Sequence, residues 1–167
     1  SVERLLDPTL VGKPVIVGMF DNLVDKIEKF LAAMREVGTV PECECFDTGI
    51  VRSIGLFKQV GLLTGPIHVS LVMGVASGMP CKPEWLPLIV AELPEGAHFQ
   101  TIGIGQREVW PVHRRAAELG GHLRTGLEDT FYLPDGSKTD SNGKLIEALV
   151  QIAREVGRPA AETASLR

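Results

Sequence analysis

The stretch IHVSLVMG, residues 67 to 74, decides the fold, because it is apolar almost throughout and runs into a loop rich in glycine and proline. A strand that is apolar at consecutive positions is buried on both faces, which is typical of a parallel sheet. The stretch HFQTIGIG, residues 98 to 105, is a second predicted strand. We therefore predict two parallel strands here, with a helix as the connection between them.

The same alternation of strand and helix continues on both sides of this pair. After residues 67–74 we predict a helix from Pro83, a favoured first-turn residue, to Leu93. Apolar periodicity predicts further strands at 13–20, 40–47 and 121–129, and further helices at 21–37, 49–61, 106–119 and 141–156. In the first helix, one face is predicted to carry the apolar residues Leu23, Ile27, Phe30, Leu31, Met34 and Val37.

Strands that alternate with helices indicate an α/β protein with a parallel sheet. Strand starts near residues 40, 67, 98 and 121 are close to evenly spaced, as in a (β/α) barrel, although an open doubly wound sheet has the same local pattern. A complete eight-stranded barrel needs about 250 residues, so a chain of 167 residues would supply only its second half. Four or five strands alone would leave two unpaired sheet edges.

Composition excludes several classes of function. The formal net charge is -4 and the basic residues are scattered, so we predict no nucleic-acid partner. No apolar run reaches the roughly 18 residues that a membrane span needs, and the sequence shows no signal-peptide pattern. We predict one domain over residues 1–167, in a cytoplasmic protein without membrane contact.

Charged residues interrupt two of the predicted strands. Alternate residues of a strand share a face, so Arg124 and Glu128 point to one side, and so do Glu42 and Glu44 on their own strand. If both faces look into a barrel, these three carboxylates and Arg124 converge toward the end where barrel enzymes carry out chemistry. The position of Glu128 and Asp129 at the end of their strand favours a site there. Clustered carboxylates are costly to bury unless a cation shares the space, so Arg124 can neutralise one of them and a divalent metal could neutralise the others. A purely structural layer of ion pairs with Arg124 is the alternative.

The histidines do not suggest a metal site. No two histidines form an H-x-H pair. His68, His98 and His122 begin predicted strands, at the end opposite the expected site, and His113 lies within a predicted helix. We predict structural or surface roles for all four, so any histidine ligands would come from elsewhere.

Two loops at the carboxyl ends of predicted strands are rich in small residues. They are GVASGMP, residues 74 to 80, and GIGQRE, residues 103 to 108. Backbone N–H groups of such loops can bind a phosphate or carboxylate, which makes Gly74 and Gly105 candidate substrate-binding positions. A tight turn explains these glycines equally well.

One long segment closely resembles a known family. GGHLRTGLEDTFYLPDG, followed by SNGKLIEALVQIAREVGRPAA, resembles the C-terminal part of the β-keto acid cleavage enzymes, which are related to 3-keto-5-aminohexanoate cleavage enzyme. The resemblance extends upstream through VPECECFDTG, LVMGVASGMPCKPEWL and ELPEGAHFQTIGIGQ, and so covers roughly residues 15 to 167. The string R-x-G-L-E-D, residues 124 to 129, is its most specific part.

The resemblance implies a fold and a site. It implies the C-terminal half of a (β/α)8 TIM barrel, with four to five parallel strands alternating with helices. Glu128 would be a zinc ligand, Asp129 the catalytic acid and base, and Arg124 its electrostatic partner. Glu44 would line the substrate site, with Glu42 as the other candidate on that strand.

The resemblance also implies the reaction and its partners. Enzymes of this family condense a β-keto acid with acetyl-CoA and then release acetoacetate and a new CoA ester, and zinc acts as a Lewis acid at the keto oxygen. The Gly74 and Gly105 loops would receive the substrate carboxylate or the CoA phosphates. Asp129, beside Arg124, is expected to have its charged form favoured.

The sequence departs from the family pattern because it lacks the H-x-H that supplies two zinc ligands. We therefore expect a fragment completed by an N-terminal half of the barrel, and expect a homo-oligomer because unclosed sheet edges disfavour a lone monomer. Two alternatives stay open. One is a half-barrel assembly module without catalysis, and the other is a metal-dependent barrel aldolase or lyase that does not use CoA.

Overall fold

A computed structural model describes residues 21–162, with side chains from residue 25 onward. Strands and helices alternate through this part of the chain. The strands are β1 (Glu42–Cys45), β2 (His68–Met73), β3 (His98–Gly103) and β4 (His122–Arg124). The helices are α1 (Asp21–Glu36), α2 (Thr48–Gln59), α3 (Leu86–Ala91), α4 (Val109–Glu118) and α5 (Asn142–Glu155), and a 3₁₀ turn (Pro83–Trp85) precedes α3. None of the helices described is long and apolar enough to cross a membrane.

The four strands form one parallel sheet in the order β1-β2-β3-β4. A doubly wound sheet reverses its strand order at a switch point, whereas a barrel adds each strand beside the previous one. The observed order therefore agrees with half of a (β/α)8 barrel, as predicted. The predicted strand at 13–20 lies outside the described residues.

The two faces of the sheet differ in character. One face packs against the helices through the buried side chains of Cys45, Val69, Leu71 and Phe99, which meet α2, α3 and α4 in the main core. Register places Glu44, Ser70, Gln100 and His122 in one row across the other face. Helices thus cover the outer face, and the polar inner face corresponds to a barrel interior.

The fourth strand is shorter than predicted. The period-2 pattern predicts a strand over 121–129, but β4 ends at Arg124. Beyond Arg124 the chain forms a turn, in which the N–H groups of Asp129 and Thr130 both donate to Gly126 O, at 2.9 and 3.1 Å. Glu128 and Asp129 therefore lie on a turn, and their direction does not follow from strand alternation.

The predicted apolar face of α1 is wider than the face that packs. Leu31 is buried, and Ile27 and Met34 are partly buried against the main core. Phe30 and Val37 are 65% and 76% exposed, so their assignment to the inner face was wrong. In the residues described, the packed part of α1 is a narrow stripe at the i, i+4, i+7 spacing.

A buried histidine makes the stability of the fold depend on pH. His113 on α4 is fully buried, its Nδ1 lies 3.2 Å from Thr101 Oγ1, and burial lowers its pKa to about 4. Of the four histidines predicted to be structural or surface residues, it is the one inside the core.

We expect the free energy of unfolding to fall as the pH drops from about 6.5 to about 4. In this window the unfolded chain binds a proton at His113 and the folded chain does not, which costs about 3 kcal/mol in full. Urea midpoints between pH 7.5 and pH 4.5 measure this loss, and His113→Leu should reduce it. His98→Asn, at an exposed ring, should leave it in place. Equal losses in His113→Leu and the parent chain would contradict the assignment.

Candidate functional site

Arg124 lies among three carboxylates at the carboxyl end of the sheet. Its guanidinium pairs with Glu128, and it lies 3.8 Å from Glu44 Oε1 and 4.0 Å from Asp129 Oδ1. Glu44 comes from β1 and Arg124 from β4, so side chains from both edges of the sheet meet across its inner face. The predicted convergence of Glu44 and Glu128 on Arg124 is therefore observed, but Glu42 does not join them and the third carboxylate is Asp129.

Two neighbouring segments hold the turn that carries Glu128 and Asp129. The N–H of Leu127 donates to Asn142 Oδ1, at 2.8 Å, at the start of α5. The N–H of Gly105 donates to Asp129 O, at 3.2 Å, from the loop after β3. The turn is thus anchored at both ends by groups distant in sequence.

Asp129 differs from the other acids of the site because it is buried. It is 6% exposed, and its Oδ2 is buried without a hydrogen-bond partner among the described residues. Burial raises the pKa of the Asp129 carboxyl and Glu44 adds to the rise, against the opposing effects of Arg124 and the Gly126 backbone. An unpartnered buried carboxyl oxygen is costly, and it points to a proton or a ligand at that atom.

The prediction that Asp129, beside Arg124, has its charged form favoured was therefore wrong, because the pKa of its carboxyl is raised. The guanidinium lowers the pKa, but it makes its close contact with Glu128 and stays 4.0 Å from Asp129. Burial of the carboxyl outweighs an ion pair at that distance.

Glu42, the other candidate on β1, lies toward the opposite end of the sheet. Its Oε1 accepts hydrogen bonds from Ser70 Oγ and, at 2.8 Å, from Gln100 Nε2. These two polar residues of the inner face were missed by the sequence analysis. Their positions two residues after His68 and His98 could have indicated them, because alternate residues of a strand share a face.

The two candidate glycines connect neighbouring loops. Gly74 has a φ of 98°, and a Cβ atom there would meet Ile104 O at 2.0 Å, so only glycine allows this approach of the β2 and β3 loops. Gly105 follows Ile104, and its N–H donates a hydrogen bond to Asp129 O. Close packing explains the glycine at 74, and a substrate-binding role for Gly74 and Gly105 stays a prediction.

The histidines that begin β2, β3 and β4 lie near one another. The rings of His68 and His98 stack with centroids 5.4 Å apart, and the His122 ring lies 6.3 Å from that of His98. Within residues 21–162, no group of three or more histidine, cysteine or acidic side chains is arranged to hold a metal ion. Zinc ligation is thus not completed by the residues described.

The arrangement at the carboxyl end suits proton transfer. A buried carboxyl with a raised pKa is a stronger base than an exposed one, and its free oxygen is available to a bound molecule. The adjacent guanidinium can balance negative charge that develops on such a molecule. This combination fits the removal of a proton from carbon beside a carbonyl group.

Comparison with known proteins gives a family match over most of the chain. The family model described as beta-keto acid cleavage enzyme matches residues 10–167. The 3-keto-5-aminohexanoate cleavage enzyme of Acetoanaerobium sticklandii is 33% identical over 149 residues, which cover 89% of this chain and 54% of that enzyme.

Two further relatives are named for reactions with acetyl-CoA. The 3-oxoadipate:acetyl-CoA acetyltransferase of Cupriavidus necator is 34% identical, over 89% of this chain and 53% of that protein. The 3-dehydrocarnitine:acetyl-CoA trimethylamine transferase of Rhizobium meliloti is 29% identical, over 81% of this chain and 45% of that protein. The chain spans about half the length of the curated relatives it matches.

Proposed function

Because the chain belongs to the β-keto acid cleavage enzyme family, we propose that it forms the C-terminal half of an enzyme that cleaves a β-keto acid with acetyl-CoA. In this reaction the acetyl group of acetyl-CoA joins the CH₂–COO⁻ part of the β-keto acid to form acetoacetate. The remaining acyl group passes to CoA as a new thioester. The relatives' names support the substrate pair of a β-keto acid and acetyl-CoA.

The observation that carries the proposal is the environment of Asp129. Its buried carboxyl has a raised pKa and an unpartnered Oδ2, and it lies on the turn formed by the R-x-G-L-E-D string. In the proposal this oxygen takes a proton from the carbon between the carboxylate and the keto group. Arg124 balances the charge of the carboxyl and of the bound substrate, and Glu44 lines the space beside them.

Zinc dependence is part of the proposal, although the described residues do not form a zinc site. Glu128 is mostly exposed and its carboxylate would supply one ligand, as the family resemblance implies. No H-x-H occurs in the 167 residues, so the other ligands would come from outside this chain. Carboxylate oxygen is an accepted zinc ligand, and bound zinc would act as a Lewis acid.

The sheet edges support a partner that completes the barrel. In the part of the chain that the structure describes, β1 and β4 each pair with another strand on one side. We propose that the N-terminal half of the barrel pairs with both edges and covers the polar inner face. Assembly into a homo-oligomer is a further part of this proposal.

Isotope transfer tests the proposed reaction. The purified protein, as it is isolated and with any polypeptide that accompanies it, is incubated with zinc, ¹³C-acetyl-CoA and β-keto acids such as 3-oxoadipate. We expect ¹³C in the acetyl carbons of acetoacetate, and an unlabelled acyl group on the new CoA ester. Cleavage of the β-keto acid without acetyl-CoA, and without transfer of ¹³C to a product, would point to the aldolase or lyase alternative. No product under any condition would favour the assembly module.

A further inference from the structure

Asn142 connects the start of α5 to the turn that carries the acidic pair. Its Oδ1 accepts the N–H of Leu127 at 2.8 Å, across fifteen residues of chain. The donor is a backbone N–H, so the accepting atom must be the side-chain oxygen. The contact lies next to Gly126, whose carbonyl accepts the N–H groups of Asp129 and Thr130.

The helix itself does not need this side chain. Ser141 is the N-cap of α5, and its Oγ accepts the N–H of Lys144. Asn142 occupies the first helical position and is exposed, and its side chain makes no hydrogen bond to the rest of the helix as the structure describes it. An asparagine at this position is therefore explained by its bond to the turn and not by the stability of the helix.

We infer that Asn142 is a positioning residue, which holds the 126–130 turn so that Glu128 and Asp129 keep their places around Arg124. The inference rests on the proposed function, because it assigns catalytic roles to those acids. Loss of the acceptor frees the N–H of Leu127 and loosens the beginning of the turn. At the other end of the turn, Asp129 O still accepts the N–H of Gly105, so the turn shifts without unfolding.

Amide hydrogen exchange and steady-state kinetics test the inference together in the full chain. In Asn142→Ala, exchange at Leu127 and Asp129 is expected to be about tenfold faster, in line with the loss of one hydrogen bond. The kcat should fall about tenfold, with the KM for acetyl-CoA unchanged. Asn142→Asp keeps an acceptor oxygen and should restore both the slow exchange and most of the kcat.

Ser141→Ala is the matched control at the preceding residue. It removes the helix cap and should lower Tm, while exchange in the turn and kcat of the folded protein stay as in the parent chain. Unchanged exchange in Asn142→Ala, or faster exchange with an unchanged kcat, would overturn the inference. Absence of turnover in the parent chain would contradict the proposed function and not the inference. Even then, slow exchange at Leu127 and Asp129 in Asn142→Ala would overturn the inference.

Discussion

Replacement of Asp129 by asparagine is expected to lower kcat about a thousandfold, in the range that a positioned general base contributes. Asparagine keeps the shape of the side chain and cannot accept the proton. The KM for acetyl-CoA should change little, because no contact between Asp129 and the CoA part is proposed. Single-turnover measurement of acetoacetate formation gives the rate of the chemical step.

Stability provides the second measurement on the same variant. The pKa of Asp129 is raised in the folded chain, so its ionised form destabilises the fold as the pH rises through that pKa. Asp129→Asn should therefore have an equal or higher Tm at pH 7, despite its loss of activity. Asp140→Asn, at an exposed acid in the same loop, should keep the parent kcat. A variant at position 129 that is both active and less stable would reject a catalytic role.

Replacement of Arg124 by leucine is expected to lower kcat about a hundredfold, the effect of removing a preorganised charge from an active site. Glu44, Glu128 and Asp129 would then face one another without a cation. Arg124→Lys should recover only part of the activity, because one ammonium group cannot reach three carboxylates as a planar guanidinium can. The kcat of the two variants at several salt concentrations measures the effect.

The control for Arg124 is another arginine that pairs with an acid away from the site. Arg115 pairs with Glu118 on the surface of α4, at 3.0 Å. Arg115→Leu should change kcat by less than about twofold, since exposed ion pairs contribute little. Comparable losses in Arg115→Leu and Arg124→Leu would mean that the effect of Arg124 is not specific to the site.

The order of strands and helices could be predicted because the spacing of apolar residues along the sequence indicates which segments are buried. β2 is apolar at most positions, and the bounds of β2 and β3 in the structure lie within the predicted stretches. The meeting of Glu44 with Arg124 also followed from strand alternation, because both residues lie within regular strands. What depends on local periodicity alone was therefore predictable.

The features that depend on tertiary structure were not predictable. The turn after β4 requires bonds from Asn142 and Gly105, which are distant in sequence, and strand alternation could not indicate it. The raised pKa of Asp129 depends on burial by other segments, whereas the nearby arginine in the sequence suggested the opposite direction. On α1, the exposure of Phe30 and Val37 depends on what packs against the helix, and periodicity does not specify it.

The sequential strand order has a consequence for how the chain folds. Each strand pairs with its neighbours in sequence, so every β-pairing closes a loop of a few tens of residues. Repeated units with only nearest-neighbour interfaces can grow outward from any stable centre. The β2–β3 pair has the longest register, so we expect it to nucleate the sheet. β1 and β4 then add on either side, and the residues of the candidate site come together only in this last step.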